Sequence, residues 1–270
     1  MEIIDKLDQG VPYLAADAFD AAGGVAHGFS TRLGGVSEGI WSSLNLGTAC
    51  GDDPDRVREN HRRFFAAIGA DGDKLALTNQ VHGGEIRSVT SADWKSDVYD
   101  KPEYEADGLM TATPGVILRV AAADCLPILF YDPVRRVIAA VHAGWRGTAS
   151  GIAGAAVERM CGTYGSRPED ILAAIGPGIS QCCFETHEDV PNAMMASLSS
   201  SALQQFEIKE NGKFAVDLKG LNRVRLLAAG LTEDHIAVSG DCTACLPDKY
   251  WSHRKMGTAR GSMAAAIQLL

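Results

Sequence analysis

A thiol and an imidazole seventeen residues apart carry most of the chemistry in this chain. Cys125 sits in Ala123-Asp124-Cys125-Leu126-Pro127, and His142 in Val141-His142-Ala143-Gly144-Trp145-Arg146-Gly147. The segment between them reads as a β-hairpin: Leu126–Tyr131 is apolar, Asp132–Arg136 is a turn, and Val137–Val141 is apolar again. Pairing Tyr131 with Val137 sets Leu126 opposite His142, so Cys125 falls one residue from direct register. Residues facing each other on antiparallel strands have Cβ atoms about 5 Å apart, close enough to share a metal ion or a proton. An offset of one residue would send the two side chains to opposite faces. The spacing therefore predicts a bend or bulge at Cys125, just before Pro127 opens the strand.

A second histidine belongs with them. His82, in Gln80-Val81-His82-Gly83-Gly84, ends an apolar stretch at a glycine turn, where the backbone can approach a ligand closely. Two histidines and a cysteine make a three-ligand zinc set with the fourth position open to water, as a catalytic site requires. Spacing alone leaves open the plainer reading that all three are core or surface residues. Beyond His142, Trp145 and Arg146 lead into a helix. Its free N–H groups and the Arg146 fork of donors suit a phosphate or carboxylate. Arg32, in Phe29-Ser30-Thr31-Arg32, adds a second cation if its glycine loop folds over the same pocket; a surface ion pair is the alternative for either arginine. Asp107, before Gly108, and Asp124 are candidates for supporting a metal ligand or acting as an acid, and Asp124 could orient a histidine or a backbone amide near a metal, although Asp-Gly is also a common turn pair.

The elements that must position these groups are partly visible. Asp53-Pro54 supplies an N-cap and a first-turn proline, and Val57, His61, Phe64, Phe65 and Ile68 recur at helical spacing until Gly69. His61 is expected to pack along that helix. Gly115–Ala122 reads as a buried strand feeding the Cys125 hairpin. Thr148 is expected to cap a helix running to about Cys161, with Ile152, Ala155, Ala156 and Met160 on one stripe. Ile171–Ile175 is a strand ending in Gly176-Pro177-Gly178. Val190–Leu198 and Leu218–Ala229 read as helices, and His235–Val238 and Met263–Leu269 as strands, the last with a short helix as alternative. Strands and helices intermix without regular βαβ alternation, which predicts an α/β or α+β fold with mixed sheets in one domain over residues 1–270.

Composition narrows the partners. Of 270 residues, 34 are acidic and 25 basic, a net charge of −9 that disfavours a broad nucleic-acid or acidic-membrane surface but permits a local basic pocket. Met1–Asp8 lacks the basic and apolar regions of a secretory leader, and no uncharged apolar run reaches membrane-spanning length, so the expectation is a cytoplasmic chain. Seven cysteines, with Cys182-Cys183 adjacent, then read as reduced thiols rather than a disulfide framework. Cys242-Thr243-Ala244-Cys245 invites a zinc-knuckle or redox reading, but one CxxC without a second ligand pair favours packed thiols.

Taken together, the motifs resemble the YfiH-like family in order and spacing. The resemblance rests on His27–Ser37 (HGFSTRLGGVS), Ser43–Gly47, Gln80–Gly83, Ala106–Gly108, Ala123–Pro127, His142–Thr148, Gly176–Ile179 with Cys182–Glu185, and Ser252–Arg254. It runs from about residue 25 to the C-terminus and is clearest over 25–262. It loosens where the family pattern Ser-Tyr-Arg-Arg and Thr-Gly-Arg is replaced by Ser252-His253-Arg254-Lys255 and Thr258-Ala259-Arg260. The family is described as polyphenol oxidase or laccase-like, and also as a zinc-associated purine nucleoside phosphorylase with adenosine deaminase and methylthioadenosine phosphorylase activities. The resemblance implies a layered α/β/β/α fold. It also implies that His82, Cys125 and His142 are the metal and catalytic residues, with zinc as the cofactor and purine nucleosides and phosphate as small-molecule partners. Arg32 and Arg146 then become candidates for binding the phosphate.

Two other chemistries fit the same residues. A cysteine hydrolase would use Cys125 as nucleophile, His142 as base, and Asp124 or the Gln80 amide as orienter. A copper-dependent polyphenol oxidase would place copper in the N/S site, which binds it tightly, but seven histidines without an HxH motif are few for several coppers. A structural zinc or partner-binding module is the non-enzymatic alternative. The sequence assigns no oligomeric state.

Overall fold

The computed structural model describes residues 1–71 and 74–270, with the backbone alone at 199. The chain opens with β1 (Ile3–Asp8), β2 (Val11–Ala16), α1 (Asp17–Ala22) and β3 (Val25–Ser30). Next come α2 (Pro54–Ala67), β4 (Lys74–Leu77), β5 (Ile86–Ser88), β6 (Gly108–Thr111) and β7 (Val116–Ala122). The central hairpin is β8 (Leu126–Asp132) and β9 (Val137–Ala143), followed by α3 (Trp145–Ser150), α4 (Ile152–Tyr164) and β10 (Leu172–Ile175). The last third holds β11 (Glu185–Thr186), α5 (Asp189–Leu198), β12 (Phe206–Ile208), β13 (Phe214–Val216) and α6 (Leu218–Ala228). It closes with β14 (Ile236–Val238), α7 (His253–Met256) and β15 (Met263–Leu269).

Two six-stranded mixed sheets stack face to face, in the orders β1-β2-β3-β15-β7-β4 and β14-β10-β8-β9-β6-β5, and β11-β13-β12 form a small third sheet. Alternation along the strands sorts the side chains into layers. Leu118, Val120, Ala265 and Ile267 of the first sheet meet Leu129, Tyr131, Ile138 and Ala140 of the second in a buried middle layer. Ile117, Ala264 and Ala266 face the other way, onto Phe64, Ala67 and Ile68 of α2. Ile128, Phe130, Ala139 and Val141 pack on Ile152, Ala156 and Met160 of α4 and on Leu221 and Leu226 of α6. The order is helix, sheet, sheet, helices, as expected.

Several predicted elements are present where the spacing put them. Asp53 caps α2 by accepting the Asp55 N–H at 2.9 Å, Pro54 opens the helix, and Gly69 ends it at φ +74°. Met263–Leu269 is a strand, not a helix, paired on both sides. Two expectations need correction. The hairpin pairs Asp132 with Val137 and Pro127 with His142, one residue away from the predicted register. The turn is also shorter: Asp132 belongs to the strand, and its Oδ1 accepts the N–H groups of Val134 and Arg135. Thr148 is not a cap but lies inside α3, whose cap is Gly144. Gly151, in the left-handed region at φ +84°, separates α3 from α4. Beyond these, the first three strands and the small third sheet carry short or irregular patterns and were not anticipated.

Two buried histidines should make the fold acid-sensitive. Burial pushes His27 down to about 4 and His61 to about 3. His27 accepts the Ala16 N–H at 2.9 Å, and the His61 Nδ1 lies 2.8 Å from the Val57 carbonyl. Both folded-state values lie below the unfolded one, so between pH 6.5 and about 4 the unfolded chain takes up protons that the folded chain refuses. Unfolding free energy is expected to fall with acid across that window by up to about 1.4 kcal/mol per pH unit for each histidine. Chemical denaturation of His27→Gln should show a shallower slope between pH 6.5 and 5 than the parent chain; an unchanged slope would contradict the assignment.

Candidate active site

The site forms where strand ends from both sheets meet. β4 runs parallel to β7, so the segment after β4 and the bend after β7 leave from the same end. β9 and β10 both run antiparallel to β8, so their C-terminal ends flank the start of β8. β6 begins there too, because Gly108 pairs with Val141.

Asp107, the residue before β6, is fully buried. Its carboxylate accepts the N–H groups of Val81 at 3.2 Å, His82 at 3.0 Å and Gly83 at 2.7 Å. Its Oδ1 also lies 2.8 Å from Nδ1 of His142. Burial alone would raise the Asp107 pKa, but His142 and these amides outweigh it and hold the carboxyl below its ordinary value. An ionised carboxylate only accepts, so Nδ1 of His142 donates to it and Nε2 is the nitrogen left to face the other side chains. The same amide bonds fix His82 at φ +60°, an uncommon conformation for a residue other than glycine. Gln80 anchors the loop from the other side: its amide donates to the Ala121 carbonyl at 2.9 Å and accepts the Ala121 N–H at 2.8 Å.

Cys125 follows a bend, as expected, although the observed register does not require one to bring it to the His142 face. The bend is made at Asp124, at φ +86°. With the observed register, Cys125 is two residues before the partner of His142 rather than one, so both belong to the same face of the sheet. Asp124 fastens the bend to later segments. It accepts the Thr243 hydroxyl and the Arg254 N–H, each at 2.6 Å, while its carbonyl accepts the Ile179 N–H at 2.8 Å. Gly178 must be glycine here, since a Cβ would lie 2.4 Å from Cδ2 of Leu126 and 3.0 Å from the Asp124 carbonyl oxygen.

The structure thus brings His82, Cys125 and His142 together. Their ligand atoms lie within 4.8 Å of one another, and the imidazoles meet edge to face with centroids 4.9 Å apart. Burial disfavours a thiolate at Cys125, yet the neighbouring His142 and His82 win and hold its pKa well down. Burial also disfavours an imidazolium at His142, yet Asp107 and Cys125 hold its pKa up. A soft anionic sulfur and two imidazoles on one point suit zinc or copper. His142 is buried, Cys125 half-buried and His82 exposed, so the set opens on one side. That side is a cavity of about 340 Å³ lined by Trp145, Ile179, Phe184, His253, Arg254 and Arg260, among others. Gly144 leaves the room: a Cβ there would stand 3.1 Å from both the Cys125 sulfur and the His82 ring.

The two predicted arginines lie outside this cavity lining. Arg32 donates to the carbonyls of Pro247 at 2.8 Å and Ser42 at 2.7 Å, and stacks 3.8 Å from the Trp251 ring centroid. Arg146 is exposed, 4.2 Å over the Trp145 ring. The guanidinium groups at the cavity are those of Arg254 and Arg260, which sequence reasoning missed. Their signal was present in the Ser252–Arg254 stretch, but only the chain's return to Asp124 gives it meaning. Of the predicted carboxylates, Asp107 orients His142, and Asp124 holds the Arg254 amide.

Fold and site together define a layered α/β protein with an open His-Cys-His donor set beside a cationic cavity. Residues 26–270 match the family model described as multi-copper polyphenol oxidoreductase laccase. The chain is 38% identical to purine nucleoside phosphorylase YlmD of Geobacillus stearothermophilus over 94% of its own length and 93% of that protein's. It is also 38% identical to purine nucleoside phosphorylase YfiH of Escherichia coli, over 92% and 95%. The crystal structure of Bacillus licheniformis hypothetical protein YfiH superposes with a TM-score of 0.92 at 34% identity, covering 98% of this chain and 99% of that one. The chain belongs to the YfiH/YlmD family.

Removing the Asp107 charge should loosen the centre without emptying it of donors. If His82, Cys125 and His142 hold a metal ion, Asp107→Asn is expected to weaken its retention about 10- to 100-fold in competition with a chelator. Gly144→Ala, which crowds the sulfur, should weaken it as well. Parent-like retention in both variants would contradict the roles given to these residues.

Proposed function

We propose that the protein is a zinc-dependent purine nucleoside phosphorylase acting on adenosine, inosine, guanosine and methylthioadenosine, and that the same pocket deaminates adenosine. The observation that carries this reading is the open three-ligand set at the cavity wall, with two guanidinium groups and two aromatic side chains around it. The names of its full-length relatives in Geobacillus and Escherichia support it.

Trp145, Phe184 and Ile179 offer apolar surface for a purine, as expected of a small-molecule pocket of this size. Arg254 and Arg260, which line the cavity, would bind the phosphate there, whereas Arg32 and Arg146 lie outside that lining. In phosphorolysis a phosphate oxygen bonds to the anomeric carbon as the carbon–nitrogen bond to the base breaks. The electron pair leaves with the purine, which takes a proton. His253, an imidazole at the cavity outside the ligand set, is placed to supply it. A histidine nitrogen bound to metal could not also carry that proton. Asp107 holds Nδ1 of His142, which would leave Nε2 as the nitrogen to coordinate a metal once it gives up its proton. Zinc, when bound, supplies Lewis acidity and activates water near neutral pH for deamination at C6.

A cysteine hydrolase is the second reading, favoured by the lowered Cys125 thiol beside His142. Asp107, not Gln80, would orient His142 as the base, since Gln80 is engaged with Ala121; two imidazoles converging on one sulfur suit coordination better. Copper chemistry with several ions fits less well. Among the described residues only one metal-capable cluster contains histidine.

Zinc-loaded protein should release adenine and ribose 1-phosphate from adenosine with phosphate, and inosine without it. His82→Ala should abolish both reactions. Absence of both products from zinc-loaded parent protein would overturn the proposal. Arg260→Ala is expected to raise the KM for phosphate about tenfold while zinc stays bound; an unchanged KM would remove Arg260 from the anion site.

A further inference from the structure

Four of the seven cysteines gather at a second place, and the CxxC that looked unpartnered in the sequence finds its second pair there. β10 and β14 are parallel neighbours, so the loops that follow them leave the sheet side by side. The first loop carries Cys182 and Cys183, the second Cys242 and Cys245. A bridge between Gly178 and Cys242 and the Thr243 N–H on the Gly178 carbonyl, at 3.2 Å, join the loops. All four sulfurs lie within 4.8 Å of one another. Three of the separations are 3.8 Å for Cys182–Cys183, 3.5 Å for Cys182–Cys245 and 3.3 Å for Cys183–Cys245.

We propose that Cys182, Cys183, Cys242 and Cys245 hold a structural zinc ion, separate from the His82–Cys125–His142 centre. Zinc bound to four thiolates at about 2.3 Å in a tetrahedron sets its sulfurs about 3.8 Å apart. The observed separations approach that edge and are far from the roughly 2.05 Å of a disulfide. An all-sulfur tetrahedral set selects zinc over harder ions and leaves no open position, the mark of a structural site. The surroundings suit the net negative charge of such a cluster. The Ser180 N–H points at the Cys242 sulfur at 3.4 Å. The buried Lys219 ammonium lies on the carbonyls of Ser239 and Asp241, beside Cys242, at 2.8 and 2.7 Å. Arg254 donates to the Cys183 carbonyl at 2.9 Å.

The ion would act as a clamp on one wall of the cavity. Ile179 and Phe184, on the first loop, line that wall. Thr243, on the second, donates to Asp124 next to Cys125. Cross-linking the loops through metal fixes both contributions at once. This inference does not depend on the proposed reaction, because its readout is metal content and thiol accessibility.

The test is zinc stoichiometry on protein purified under reducing conditions. Two zinc ions per chain are expected for the parent. One should remain in His82→Ala/Cys125→Ser, and one in Cys182→Ser/Cys245→Ser. Should the second variant fail to fold, alkylation of the parent keeps the question answerable. Cys182 and Cys245 are exposed, yet they should resist labelling until a chelator removes the metal. At most one zinc in the parent, lost entirely on His82→Ala/Cys125→Ser, would overturn the proposal. So would equally fast labelling of Cys182 and Cys245 before and after chelation, or a disulfide within the cluster.

Discussion

A single buried carboxylate, that of Asp107, sets the geometry of the active centre. It gathers three consecutive backbone amides from the His82 loop and the Nδ1–H of His142, joining the loop that runs from the first sheet to the second with β9. Taking a carboxylate fully out of water is costly unless it is hydrogen-bonded, and here the bonds it accepts fix the His82 loop and the His142 ring, two of the three candidate donors. The loop conformation, the His142 tautomer and the direction of its free nitrogen follow from one side chain. Without that charge the two histidines would keep their places in the chain but lose their common target.

The two-sheet architecture explains why such distant residues meet. β4, β7, β9, β10 and β14 end, and β6, β8 and β15 begin, at the same edge of the stacked sheets. Rigid strands hold the loop stems while the loops carry the chemistry. The bend at Asp124 is the second fastening point, tying Cys125 to the segments around Ile179, Thr243 and Arg254. Residues from almost the whole chain therefore share one small volume. Among the described residues no helix is long and apolar enough to cross a membrane.

How much of this was legible in the sequence depends on the range of each interaction. The Asp53-Pro54 cap, the apolar spacing of α2 and the hairpin's two apolar runs are local signals, and each produced its element. The hairpin register was misread by one residue because Asp132 pairs as well as turning the chain, and its side chain looks the same in either role. That slip demanded a face change at Cys125 that the correct register does not need. Thr148 looked like a cap, but Gly151 decides where α3 gives way to α4. The convergence of His82 with Cys125 could be suspected from residue type alone. The roles of Arg254 and Arg260 could not, because they arise where the C-terminal segment folds back 130 residues later onto Asp124. Arg32, a conspicuous cation in a glycine loop, is held by carbonyls and a tryptophan face, partners that its neighbours in sequence do not announce.

Anomalous scattering from crystals of the zinc-loaded protein, collected on both sides of the zinc absorption edge, tests the central claim most directly. A zinc peak is expected about 2.0–2.3 Å from Nε2 of His142, a ring nitrogen of His82 and the sulfur of Cys125, with Asp107 still on Nδ1. Electron density that shows the three side chains clearly, with no anomalous peak between them, would contradict it.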